Sequence, residues 1–180
     1  MNNSNLLSSS NRTIIFKVLI FTIFILQACT QKESSKPLPI ELTRDHACAV
    51  CGMITVDFQG AKAQIHYRNG KTDTFCCTLH MFSFNLQPDR PPNIAAIYVN
   101  DMGKADWEKP EGHWIDAKNA FYVVGGDVMG PHGEALVPFS GIKNAEDYKK
   151  EHGGEIIRFD DVTMDMLRPV AHSHNKAMAD

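Results

Sequence analysis

The chain predicts an α+β fold built from two strand–strand–helix–strand units on antiparallel sheet. Three observations carry this reading. Asn69-Gly70 stands between two strand-like runs, the strongest short hairpin signal a sequence offers. A helically spaced apolar set, Leu79, Phe82 and Leu86, follows at once and is closed off by Pro88, Pro91 and Pro92. The same order of elements then recurs in the second half, as a likeness of pattern and not of residue identity.

Arg12 and Lys17 flank the start of an apolar run at the N-terminus, Ile14-Ile15-Phe16 and then residues 18–26. That run falls short of the about 20 apolar residues that span a bilayer, and it has the layout of a secretory signal. It ends at Leu26-Gln27-Ala28-Cys29, which resembles a bacterial lipobox, the motif whose cysteine is acylated and becomes the first mature residue. Residues 1–28 are therefore expected to be a lipoprotein signal peptide and Cys29 the lipidated residue, with an uncleaved membrane anchor as the alternative. Either way the protein leaves the cytoplasm for a periplasm-facing, lipid-anchored position. Thr30 follows the cysteine where the inner-membrane retention signal has Asp, so the outer membrane is favoured.

Residues 29–39, rich in Ser, Lys and Pro, read as a flexible tether. The folded domain is expected over 40–166, and the polar stretch 167–180 as a disordered tail. From Met53 the pattern is strand-like, with Ile54-Thr55-Val56 β-branched and residues 61–67 alternating polar and apolar. Residues 71–76 form the second strand of the hairpin, Thr78 offers a helix N-cap for 78–86, and 94–99 is a further strand. Residues 100–114 link the halves, with Trp107 and Trp114 expected to pack the link down. The second unit reads as a strand at 119–124, a Gly-rich turn and a strand at 135–139. An amphipathic helix near 144–152 follows, capped by Gly153-Gly154, and then a last strand at 155–159.

The formal net charge is −3, with charged residues spread along the chain and no basic stripe interleaved with aromatics, which excludes nucleic acid as a partner. No nucleophile elbow, phosphate loop or metalloprotease helix motif is present, so no enzymatic chemistry is expected. Five cysteines is an odd count and leaves at least one without an intramolecular cysteine partner.

The chemistry concentrates in residues 46–53, His-Ala-Cys-Ala-Val-Cys-Gly-Met. Thiolate and thioether are soft donors and together select Cu(I) over Ca, Mg or Mn, whereas zinc sites seldom recruit Met. Cys48-x-x-Cys51 alone is shared by redox dithiols, zinc knuckles and disulfides; Met53 beside it tilts the reading to copper. A second soft set lies in the turn 125–133, where four glycines and a proline shape a loop carrying Met129 and His132. A methionine on such a loop gains little from core burial, so its sulfur is a candidate ligand, and His132 is a candidate nitrogen ligand. Cys76-Cys77 cannot both line one site while the strand continues, because neighbours on a strand point to opposite faces. His80 and Met81 one turn later keep a second soft site open. His172, His174 and Met178 in the tail lack preorganisation and are left out.

Taken together, Cys48-Ala49-Val50-Cys51-Gly52-Met53, Tyr122-Val123-Val124, Asp127-Val128-Met129-Gly130, Val137-Pro138-Phe139 and His152-Gly153-Gly154 resemble the NosL family, copper-binding accessory lipoproteins of nitrous oxide reductase. The resemblance runs from about His46 to Phe159, and the lipobox-like Cys29 fits it. It implies a two-unit fold of the kind read above and Cu(I) held by Cys51, Met53 and Met129, with any further ligand left open; Cys48 and His132 are weaker candidates from the residues themselves. It also implies a non-enzymatic metallochaperone whose partner is nitrous oxide reductase or its maturation machinery. Two other readings stay open: an extracytoplasmic thiol-disulfide oxidoreductase using Cys48 and Cys51, and a general copper-binding protein not tied to the reductase. Against the oxidoreductase, Gly52 and the β-branched run after Met53 point to a loop entering a strand, and not to the helix such motifs open.

Overall fold

The computed structural model describes residues 36–167; the expectations on the signal segment, on Cys29 and on residues 168–180 lie outside the described residues. Strands β1 (Ala63–Tyr67) and β2 (Thr72–Phe75) form the hairpin, with Gly70 at φ 85° in its turn, a conformation glycine adopts without cost. Helix α1 (Thr78–Asn85) follows, and β3 (Ile94–Asn100) returns antiparallel beside β1. A short strand, β4 (Trp114–Asp116), closes the other edge, giving the order β2-β1-β3-β4.

The second unit starts with β5 (Phe121–Gly126), followed by the two-residue strands β6 (Met129–Gly130) and β7 (Gly133–Glu134), which pair only with each other. Then come β8 (Val137–Phe139), α2 (Ile142–His152) and β9 (Gly153–Arg158), in a sheet of order β8-β5-β9. In both units the first strand is central, its hairpin partner lies on one side and the strand after the helix on the other, and every ladder is antiparallel. The architecture is the expected α+β fold.

Period-two alternation decides what each face buries. Ala63, Ile65 and Tyr67 of β1 enter a core shared with Phe75, Met81, Phe82, Ile97 and Val99. That core extends into the second unit through Tyr122, Leu136 and Phe159, and Phe82 meets the Tyr122 ring edge-on at 5.1 Å. Burying one such ring contributes about 1.5–3 kcal/mol. The next residue on β5, Val123, faces a second core with Val137, Phe139 and Ala145 of α2. Helix α1 accordingly carries apolar residues on most of its sides, as a helix covered by both units requires. The other face of β1 is polar and also buried. Gln64 accepts from the Ile40 N–H at 2.9 Å and donates to the Ile40 carbonyl at 3.0 Å, and His66 Nε2 lies 2.7 Å from Gln64 Oε1.

Four local expectations are corrected. Ile54-Thr55-Val56 is not a strand; Thr55–Asp57 is a turn of 3-10 helix, because the Thr55 N–H and hydroxyl both donate to the His46 carbonyl and fold the chain back. Thr78 is not the N-cap of α1. Cys77 takes that place in extended conformation, and the buried Thr78 hydroxyl instead donates to the Leu136 carbonyl at 2.6 Å, tying the helix start to the second half. The strand expected over 135–139 is shortened to Val137–Phe139, because the chain before it is spent on the β6–β7 hairpin. Trp107 does pack onto the second core, while Trp114 has become part of β4.

Candidate metal centre

Three chain segments converge on one spot. The first, residues 46–54, lies along the free edge of β2: Ala47 bridges to Ile54, and Cys48 bridges in parallel to Thr74. The Cys48 N–H donates to the Met53 carbonyl at 2.8 Å, the Gly52 N–H to the Cys48 carbonyl at 2.8 Å, and the Ala49 N–H to the Thr74 carbonyl at 2.9 Å. Gly52 sits at φ 73°, so the reversal needs a residue free of the β-carbon penalty. The turn directs Cys48 inward, only 2% exposed, and leaves Cys51 at the surface.

The second segment is the junction between β2 and α1. Because β2 stops at Phe75, strand alternation no longer constrains the next two residues. Cys76 lines the same spot as Cys48, and Cys77 is buried as the helix N-cap. His80 sits on the first turn of α1, four residues after Cys76. The third segment is the β6–β7 hairpin, whose loop carries Pro131 and His132.

The distances define a compact donor set. Cys51 Sγ lies 3.7 Å from Cys76 Sγ, and His80 Nδ1 lies 3.5 Å from both Cys48 Sγ and Cys76 Sγ. One ligand atom from each of Cys48, Cys51, Cys76 and His80 lies within 4.8 Å of every other. His132 closes the group from the second half: its Nε2 is 3.8 Å from Cys51 Sγ and its ring stacks on His80, centroids 4.0 Å apart. All four thiols, Cys48, Cys51, Cys76 and Cys77, are free.

Electrostatics divide labour among the thiols. The hydrogen bond from Cys76 holds the Cys48 thiol far below its ordinary value against the effect of burial, helped by backbone N–H groups of Cys76, Cys51 and Val50. The same bond, a second one to Cys77 and burial push Cys76 far up. Cys77 is pulled down by its bond from Cys76. Nearby, Lys62 is 1% exposed, and its ammonium donates to the carbonyls of Phe58, Gln59 and Gly60. Burial brings it down to about 8, and the neighbouring Cys76 and Cys77 sulfurs oppose that shift. Burial, and then the neighbouring His80, lower His132.

Of the residues singled out from sequence, Cys48, Cys51 and His132 are brought together. Met53 follows Cys51 in the turn, 37% exposed, and Met129 sits on the hairpin that carries His132, 55% exposed. Cys76 and His80 join the group from outside the expected ligand set. The signal that marks them is a Cys-x-x-x-His spacing across a strand-to-helix junction, which puts both on one side of a helix start. Met81, paired with His80 in the sequence reading, is a fully buried core residue.

Comparison with known proteins identifies the family. The NosL family model matches residues 39–167. The copper-binding lipoprotein NosL of Stutzerimonas stutzeri is 36% identical over 164 residues, covering 89% of this chain and 86% of that protein. The copper-binding lipoprotein NosL of Achromobacter cycloclastes is 29% identical over 170 residues, covering 92% and 88%. The crystal structure of the copper chaperone NosL from Shewanella denitrificans superposes with a TM-score of 0.68 at 35% identity, covering 72% of this chain and 98% of that one. With a family model spanning the folded domain and a relative of this identity along most of its length, the chain belongs to the NosL family.

Proposed function

We propose that this protein is a Cu(I) metallochaperone, lipid-anchored at Cys29 and facing the periplasm, that delivers copper to nitrous oxide reductase during assembly of its copper centre. The observation that carries the reading is the placement of Cys51. It is a surface thiol with soft donors before and after it, at the spot where the two halves of the fold meet. In the delivering state Cu(I) is held by Cys51, Met53 and Met129, with His132 in reach of the same sulfur. Cys51 supplies the charged ligand that dominates affinity, and the exposed thioethers are neutral, weaker donors that an acceptor protein can displace. A chaperone must bind and then release, and few ligands at an exposed position permit exchange through a shared-metal intermediate.

The thiol-disulfide oxidoreductase reading has less support. The dithiol of such an enzyme opens an α-helix whose N-terminus lowers its pKa, whereas Cys48 and Cys51 lie in a turn followed by 3-10 helix at Thr55–Asp57. The relatives' names, copper-binding lipoprotein and copper chaperone, favour metal transport.

Anaerobic competition with a chromogenic Cu(I) chelator tests the proposal, followed by mixing the copper-loaded protein with copper-free reductase. The parent should take up Cu(I) stoichiometrically and load the reductase. Cys51→Ser should lose on the order of a thousandfold in affinity, about 4 kcal/mol. Met53→Leu and Met129→Leu keep side-chain size and should mainly slow transfer to the reductase. A parent that takes up no Cu(I), or a Cys51→Ser variant that loads the reductase normally, would rule the proposal out.

A further inference from the structure

The geometry points to a second copper position beneath the surface one: Cys48, Cys51, Cys76 and His80 form a closed four-ligand site in which Cu(I) rests, sharing Cys51 with the exposed position from which it is delivered. This rests on the chaperone reading above and adds to it a resting site and a path outward.

The shape of the donor set is the first support. Bonds of about 2.3 Å to sulfur and about 2.0 Å to nitrogen around a tetrahedral d10 ion set neighbouring ligand atoms about 3.5–3.8 Å apart. The pairs Cys51–Cys76, Cys48–His80 and Cys76–His80 lie at 3.7, 3.5 and 3.5 Å, so three edges of that tetrahedron are already in place. What singles the group out is that one ligand atom from each of three thiols and an imidazole lies within 4.8 Å of every other, so a single ion can reach all four.

Local order is the second support. Cys48 is held by the bridge to Thr74, Cys76 by the strand end and His80 by α1, so three of the four ligands need no reorganisation on binding. The surrounding charge is the third. Three thiolates and one Cu(I) carry a net charge of −2, which is costly away from water unless a cation stands nearby. The buried ammonium of Lys62 is such a cation, locked by three backbone carbonyls within electrostatic range of Cys76 and Cys77.

The path outward is ligand exchange at constant oxidation state. Cys51 Sγ stays bound throughout. Cys48, Cys76 and His80 detach, any proton a released sulfur takes up coming from solvent, while Met53 and Met129 bind in their place and no electron moves. His132, stacked on His80 and 3.8 Å from Cys51 Sγ, stands where an intermediate nitrogen ligand is needed.

X-ray absorption on the full chain in detergent, loaded anaerobically with one Cu(I) per chain, tests this directly. The resting ion should show three sulfurs and one nitrogen. His80→Gln should remove the nitrogen and Cys76→Ser one sulfur, and both should accelerate loss of copper to a chelator. Met53→Leu and Met129→Leu should leave the resting ligand count unchanged and slow that loss. His80 is half-buried on the first helical turn, so its variant keeps the test open should Cys76→Ser fail to fold. If His80→Gln leaves the spectrum unchanged while a Met→Leu variant removes a sulfur, copper rests at the exposed position; the second site is then overturned and the chaperone reading survives. A parent that keeps Zn2+ at these four residues against Cu(I) also overturns it. A parent that binds no Cu(I) at all defeats the chaperone reading itself.

Discussion

The Asp101 carboxylate is fully buried just past the end of β3, and it accepts from the Ser140 N–H at 3.0 Å and from the Ser140 hydroxyl in the other half of the fold. The Gly103 N–H adds a bond at 3.1 Å and Lys104 an ion pair at 3.5 Å. Burial alone would raise this carboxyl, but the bonds from Ser140 and Gly103 and the Lys104 charge hold it below its ordinary value. A carboxylate depressed in the folded state stabilises fully above its unfolded pKa, about 3.9, and that stabilisation is lost as pH falls through the folded value. Asp101→Asn should therefore cost about 1.5–3 kcal/mol at pH 7 and progressively less below pH about 4. Urea unfolding of both proteins at pH 7 and pH 3 checks this, and an equal gap at the two pH values would count against it. The same contest between burial and hydrogen bonding acts on Cys48, where hydrogen bonding prevails and lowers the thiol, whereas at Cys76 both push upward.

Elements place these residues by where they stop. Strand β2 ends at Phe75, and this releases Cys76 toward the donor cluster. Helix α2 ends at Gly153, whose φ of 74° turns the chain directly into β9. The next residue, Gly154, has φ 86°, and a β-carbon there would lie 2.4 Å from the Val124 carbonyl oxygen and 2.9 Å from the Gly126 nitrogen. Gly154→Ala should pry β9 from β5 and destabilise the domain by about 3 kcal/mol. Gly141→Ala, at a site with nothing within 4 Å, should cost about 1 kcal/mol or less. Thermal unfolding of the two variants compares them; similar losses would show that close backbone approach at Gly154 is not limiting. The β6–β7 hairpin hangs on this same β5–β9 edge through the Asp127 N–H bond to the His152 carbonyl at 2.9 Å, so the position of His132 depends on it.

Across the whole molecule, residues 36–40 cross the first sheet from β4 to β1, and the Cys48–Met53 turn lies along the free edge of β2. Ile40 is clasped by Gln64 on β1, the Pro37 carbonyl accepts from Tyr98 on β3 at 2.7 Å, and Lys36 pairs with Asp116 on β4. That turn is bridged to β2, three strand spacings from the Lys36 contact on β4, about 14 Å. Cys29→Ser should move the protein from the membrane fraction to the soluble one with its Cu(I) affinity unchanged. Retention of that variant after an alkaline carbonate wash would identify an uncleaved apolar anchor and reject lipidation. Among the described residues no helix is long and apolar enough to cross a membrane.

Local signals were enough for the two strand–strand–helix–strand units, though not for β4 or the β6–β7 hairpin, because each depends on a few neighbouring residues: Asn69-Gly70 for the hairpin, Pro88 for the end of α1, Gly153-Gly154 for the end of α2. They misled at Ile54-Thr55-Val56, where β-branching favours a strand but a hydrogen bond to His46, nine residues back, makes a turn. The soft-donor chemistry at Cys51 and Met53 was likewise legible, since the donors are adjacent in the chain. What only the tertiary structure decided is the company Cys51 keeps. Cys76 is 25 residues away and His132 is 81 residues away, and neither position can be read from periodicity. Their approach depends on where β2 terminates and on how the second unit packs over α1, which are properties of the assembled core.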